Sequence, residues 1–204
     1  MPIQSTTLFN SFKYKIDTLN KIREKQENLF NKNLIFRRDI EEVYSAIYID
    51  VLVSLEALIE DLFIGLLTGQ ISSRHIKTKA KINVKTTKIA RDIVYHSRNY
   101  FNWLPYENTE RYAMIFFYKG GPFTLLNKDE KNDLVKCLII RNAIVHKSNY
   151  AVREFNEKIL TGLILRPRDK KPSSFLRIQF SINPNLNYYQ QYVLKILKIA
   201  NTIC

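Results

Sequence analysis

The stretch RRDIEEVYSAIYIDVLVSLEALIEDLFIGLL, from Arg37 to Leu67, carries the strongest hydrophobic periodicity in the chain. Ile40, Tyr44, Ile47, Tyr48, Val51, Leu52, Leu55, Leu58, Ile59, Leu62 and Leu66 recur at three- and four-residue steps. Such spacing places them on one wide stripe of a helix. Thr68 and Gly69 supply the stop. A helix this long and this apolar belongs at the centre of a helical body. Glu56 falls at the edge of the stripe, whereas Glu60 and Asp61 fall on the other side, where solvated charges are the simplest reading.

Working outward, Phe9, Phe12, Ile16, Leu19 and Ile22 predict an amphipathic helix over about 5–26, capped by Ser5 or Thr6 and broken by the polar residues 27–33. Residues 86–101 suit a helix with Ile89, Ile93, Val94 and Tyr100 inward, and Asn102 to Pro105 ends it. A short apolar piece at 109–118 closes at Gly120, Gly121 and Pro122. Asn127 or Asp129 can cap a helix reaching about residue 148, with another turn or two over 152–160. Residues 163–166 and 175–180 read as short strands around a Pro/Lys loop. A last helix over 188–203 offers Tyr192, Leu194, Ile196, Leu197 and Ile199 for packing. The fold class expected is all-α, a helical bundle with a small β-hairpin near residues 163–180. One domain spans residues 1–204, with its core at about 38–160. No repeat or low-complexity tract interrupts it.

Composition bounds the partners. A hydrophobic content of 46% and an aromatic content of 12% describe a folded chain. The net charge of +13 points to nucleic acid first, and to an anionic membrane or an acidic protein second. Cys137 lies inside an apolar run and Cys204 is the last residue, which favours reduced thiols. The N-terminus lacks a basic region followed by an apolar core, and no window approaches the length of a membrane span. The expectation is a soluble cytoplasmic protein. Between residues 70 and 91, Arg74, Lys77, Lys79, Lys81, Lys85, Lys88 and Arg91 occur with no acidic residue among them. Such a run serves equally well as a solvated segment or as an electrostatic funnel for phosphates, and it is not a sequence reader. It lacks the apolar face that membrane insertion requires.

Most familiar chemistries are missing from the residues. There is no Gly-rich phosphate loop, no metalloprotease histidine pair and no cysteine cluster of metal-binding spacing. The three histidines are too dispersed to propose a metal site, so metal ligands and cofactors are both expected to be none. Any catalysis must then rest on Arg, His and other polar groups. Three of these, Arg141, Asn142 and His146, interrupt the apolar run that begins at Leu134. At 100° per residue, Leu134, Val135, Leu138 and Val145 share a face with Asn142, and Arg141 and His146 flank it. The trio is therefore expected to continue a buried stripe, where unpaired polar groups are costly. Histidine can move a proton on or off a ribose hydroxyl, and arginine can hold a phosphate bidentately. The plainer reading of His146 is a core-edge histidine hydrogen-bonded to a neighbour. Spacing alone does not choose a site, because Arg91 and His96 repeat it. Context favours the first pair, which interrupts a strongly apolar helix, while the second adjoins a basic and aromatic surface.

With its Arg141-Asn142 pair, four intervening residues and His146, preceded by an apolar helix bearing Ser54, Leu55, Glu56, Ala57 and Leu58, the chain resembles the HEPN superfamily. The resemblance covers roughly residues 38–160. It implies a helical bundle that forms a homodimer, so that two Arg-His motifs line one cleft. It also implies a metal-independent endoribonuclease, of the kind found in toxin–antitoxin, antiphage and stress-defence systems. On that pattern Arg141 stabilises the phosphate, His146 is the general acid or base, and Asn142 orients them. Glu56 is either the supporting partner behind Arg141 or, equally, a member of a structural ion pair. RNA contacts are assigned from charge, not from the family pattern, to Arg74, Lys77, Lys79, Lys81 and Lys147. The partners implied are RNA, a second copy and an antitoxin or regulatory protein, with no membrane. The alternative is a non-catalytic nucleic-acid-binding or regulatory module. The basic insertion at 70–91 and the hairpin at 163–180 depart from the family pattern.

Overall fold

Among residues 2–96, 98–146, 148–182 and 185–204, which the computed structural model describes, the chain is all-α. Strand β1 (Ile3–Gln4) leads directly into helix α1 (Ser5–Asn31), and α2 follows over Arg37–Leu67. Strand β2 (Ile71–Ser72) pairs in parallel with β1, Ile3 against Ile71. Helices α3 (Thr87–Tyr95), α4 (Tyr106–Phe116), α5 (Lys128–His146), α6 (Asn149–Lys158) and α7 (Pro172–Arg177) come next. An antiparallel pair, β3 (Gln179–Ser181) with β4 (Leu186–Asn187), precedes the closing helix α8 (Tyr188–Ile203). No helix of the described residues is long and apolar enough to cross a membrane.

Local sequence explains where these helices start and stop. Every residue of the α2 stripe is buried, and Gly69 adopts φ 69° just past the helix, a conformation that glycine takes without a Cβ penalty. Helix α5 opens with a reciprocal capping box: Glu130 N donates to Asn127 Oδ1 at 2.9 Å and Asn127 N donates to Glu130 Oε2 at 3.1 Å. Asn187 and Gln190 repeat that exchange at the start of α8. Thr86 caps α3, and Ser148 caps α6 by accepting from Ala151 N.

The chain gathers into two units, with the divisions falling inside α1, α2, α5 and α8. The first comprises residues 1–14, 54–131 and 197–204. Its centre is Phe63, whose ring lies 5.0 Å from Trp103, 5.0 Å from Phe117 and 5.2 Å from Phe123. Offset and edge-on aromatic pairs of this kind add to the area that they bury. Its three segments are tied at buried Ser5, whose hydroxyl donates to the Cys204 carbonyl and accepts from Arg74 N. The second unit comprises residues 15–53 and 132–196. There Tyr44 and Tyr48 pack edge-on against Tyr189, and Phe175 lies between Phe155 and Tyr188.

Four local expectations change. Helix α1 does not break at residue 27 but runs to Asn31. Its inner face, Phe12, Ile16 and Leu19, continues through buried Arg23 to Glu27, which receives the Tyr44 hydroxyl at 2.8 Å and both Nε and Nη2 of Arg177 at 3.0 Å. A polar continuation is invisible to a hydrophobic pattern. Helix α3 buries Ala90 and Val94, while Ile89, Ile93 and Tyr100 are exposed. The antiparallel pair is formed by 179–181 and 186–187, not by strands within 163–180: residues 163–166 form no strand, and Pro172 starts the short helix α7 that buries Ser174, Phe175 and Leu176. Leu194 of α8 is exposed, although Tyr192, Ile196 and Ile199 pack inward.

Candidate functional site

Helix α5 buries Leu134, Cys137, Ile140, Ala143 and Ile144 at three- and four-residue steps, and the Tyr48 hydroxyl donates to the Cys137 carbonyl at 3.3 Å. Burial pushes the Cys137 thiol up to about 12, and Cys204 likewise, so neither offers a thiolate nucleophile near neutral pH. Asn142 lies on the far side of the helix from Cys137, Ile140 and Ile144. That reverses one expectation. Val135 is 38% exposed and Val145 45%, with Leu138 and Asn142 half-buried beside them. The polar trio sits in an apolar strip that the described chain leaves partly open. Periodicity misplaced it because α5 carries aliphatic residues on nearly every side, so two stripes fit the same sequence.

Within this strip Arg141 is half-buried, and its Nη1 donates to Asn142 Oδ1 at 3.3 Å, so the neighbouring amide helps fix the guanidinium. His146 is exposed on the last residue of α5 and joins no hydrogen bond or ion pair among the described residues, unlike a core-edge histidine held by a neighbour. Along a helix, five residues separate the two side chains by about 7.5 Å in height and about 140° in direction. One motif therefore cannot easily close on a single phosphate.

The second Arg-His pair has other company. Arg91 Nε donates to Glu60 Oε1 at 3.1 Å, and Asp61 lies 3.9 Å from its Nη2. Trp103 Nε1 also reaches Glu60. Burial and a hydrogen bond to the same carboxylate push Tyr95 up to about 12. Glu60 is thus a shared anchor, not the solvated charge expected. Its neighbour Asp61 titrates above the ordinary aspartate value, raised by burial and then by the Glu60 charge. His96 has left the helix, with φ 47°.

No family model, curated protein or solved structure matches this chain.

Among the other site candidates, Glu56 is half-buried on α2 and engaged by neighbouring groups; it belongs to the first unit and Arg141 to the second. Arg74 is exposed, with Nη2 3.0 Å from Asn201 Oδ1 and from His75 Nε2. Lys77, Lys79 and Lys81 are exposed along an extended segment that an antiparallel bridge between Ala80 and Phe117 fastens to the end of α4. Lys147 lies outside the described residues. Among these residues no group of three or more His, Cys, Asp or Glu could hold a metal ion.

Two features escaped sequence reading. In the second unit a cavity of about 640 Å³ opens on the buried side of α5, floored by Ala46, Ile49, Ala143 and Ile144 and edged by Glu41, Glu42 and Lys171. Glu41 is acidified there: burial raises it, but hydrogen bonds from Arg37 and Ser174 bring it below the ordinary value. The other feature is the partly buried cluster of Arg23, Glu27, Tyr44 and Arg177. Its only sequence signal is a charged residue falling on the helix step of an apolar stripe.

Proposed function

We propose that the chain is a homodimeric endoribonuclease of the HEPN kind, acting on RNA without a metal ion. The observation that carries the reading is the placement of Arg141, Asn142 and His146 in a partly open apolar strip on α5. A second copy laid on that strip would cover Val135, Leu138 and Val145 and bring two motifs together. The 140° divergence that hampers one motif then becomes useful, since a guanidinium of one copy can face an imidazole of the other. Such a site is incomplete without its partner.

In the reaction the ribose 2′-oxygen attacks the adjacent phosphorus as the bond from phosphorus to the 5′-oxygen breaks. The 2′-hydroxyl proton passes to an imidazole, and the 5′-oxygen leaves with a proton from an imidazolium. The products are a 2′,3′-cyclic phosphate and a 5′-hydroxyl. His146 handles the proton transfers. Arg141 offsets the charge that builds on the non-bridging oxygens, and Asn142 holds it in place. Because the nucleophile belongs to the substrate, no metal-activated water is required. A role as a toxin or phage-defence effector, restrained by an antitoxin or regulatory partner, fits such an activity.

Purified protein incubated with RNA in EDTA tests the mechanism. Cleavage should leave cyclic-phosphate ends and fall by at least about a hundredfold in Arg141→Ala and in His146→Ala. Cleavage that needs a divalent ion, or that survives both changes, refutes it. Induced expression should arrest growth with the wild type and not with His146→Ala. Salt-dependent RNA binding with no turnover would favour the non-catalytic module, a reading that the exposed lysines of residues 77–81 also suit.

A further inference from the structure

In the first unit the extended segment at residues 77–81 alternates strictly. Thr78 buries its hydroxyl and Ala80 pairs with buried Phe117, while Lys77, Lys79 and Lys81 stand on the opposite, solvent side. Two backbone hydrogen bonds, Lys81 N to Phe116 O at 2.8 Å and Tyr118 N to Lys79 O at 3.0 Å, hold this edge straight. Alternate residues of an extended strand are about 6.7 Å apart. That step is comparable with the phosphate-to-phosphate step of a nucleic-acid strand.

Tyr118 stands opposite Lys79 on the same outer side and is 55% exposed. The Lys79 ammonium lies 5.2 Å from the ring centroid, which fixes the ring's orientation. Lys81 Nζ donates to the Met114 carbonyl at 2.7 Å, leaving its other two protons for an outside acceptor. Lys119, the next residue, is exposed as well. A row of alternate lysines beside an exposed aromatic ring is the combination that binds single strands: charge follows the backbone while a base stacks on the ring. A duplex cannot use it fully, since its bases are already stacked and paired.

We infer that Lys77, Lys79, Lys81 and Tyr118 form a single-strand RNA binding edge on which a base stacks on Tyr118 and successive phosphates follow the lysine row. The inference rests on the reading of RNA as the substrate and adds the strandedness that it requires.

The test is fluorescence anisotropy with a short, fully 2′-O-methylated RNA strand, which cannot be cleaved, and with the same strand annealed to its complement. Tyr118→Ala should weaken single-strand binding about tenfold, and Tyr118→Phe should keep wild-type affinity, because stacking needs the ring and not the hydroxyl. Lys77→Gln should lower the slope of log affinity against log salt by about 0.7. Thermal unfolding of each variant should match the wild type, since these side chains are exposed. Equal affinity for strand and duplex, or unchanged binding by Tyr118→Ala, overturns the inference. Tyr118-dependent binding alongside failure to cleave ordinary RNA would remove the nuclease reading and support this one. Cleavage with Tyr118-independent binding would do the reverse.

Discussion

Arg91–His96 and Arg141–His146 share a spacing and differ in almost everything else. Arg91 is drawn against Glu60 and Asp61, and His96 lies beyond its helix in a left-handed conformation. Arg141 and His146 both remain on α5, with the guanidinium beside an amide and the imidazole exposed. A carboxylate that neutralises an arginine in the resting protein competes with any phosphate for it. An amide steers the arginine without cancelling its charge. Spacing therefore nominates a motif, and the neighbours decide whether it can act.

The largest effect that could break this contrast is on RNA cleavage in EDTA. His146→Ala and Arg141→Ala should each lower the rate by a hundred- to ten-thousand-fold, roughly what a general acid–base group or a charge-stabilising contact contributes. His96→Ala should stay within about twofold of wild type, an exposed substitution with little reach. Equal losses from the two histidines would erase the distinction.

Next in size is the strip that frames Arg141 and His146. Val145→Glu places a charge where a second copy is expected, so sedimentation should show a monomer and cleavage should fall with it. The monomer's own unfolding should shift by no more than about 0.5 kcal/mol, because Val145 is already 45% exposed. A fully active monomeric variant would contradict the claim that the site needs two copies.

How far the sequence led differs between these regions for physical reasons. The α2 stripe could be read residue by residue because its polar positions all fall outside the stripe. In α5, aliphatic residues surround the helix, so the direction of burial was ambiguous and the face that Asn142 shares, expected to be covered, is partly open. For α3 the pattern put Ile89 and Ile93 inward, but a nine-residue helix with small Ala90 at its contact turned them out. Tyr118 beside Lys79, and Glu60 beneath Arg91, are non-local pairs that no spacing announces. The Arg141–His146 motif was legible as a motif. Its open setting was not.

A smaller effect concerns another arginine that meets a carboxylate, Arg177 with Glu27. Burial raises the Glu27 carboxyl, but hydrogen bonds from Arg177 and Tyr44 and the nearby guanidinium charges bring it below its ordinary value of 4.5. A depressed folded-state value means stability that is present above pH 4.5 and lost as pH falls through the folded value. Glu27→Gln should cost about 1–2 kcal/mol at neutral pH, where one charge-assisted acceptor is lost. It should also flatten the acid limb of a melting-temperature profile. An acid limb as steep as that of the wild type would show that Glu27 does not carry it.

The smallest effect is the most discriminating for the opening contrast. Arg91 is 43% exposed along its side chain and Glu60 26%, so Arg91→Ala should lower stability by only about 0.5–1 kcal/mol. Glu60 keeps its contact with Trp103 Nε1 in that variant, which limits the penalty left behind. Cleavage per folded molecule should not change, since the ion pair holds α3 to α2 and touches no substrate in this reading. Thermal unfolding and cleavage measured on the same preparation separate the two roles. A normal melting temperature with lost cleavage would mean that Arg91 leaves Glu60 to grip RNA, and the ion pair would then be a resting state of a second working motif.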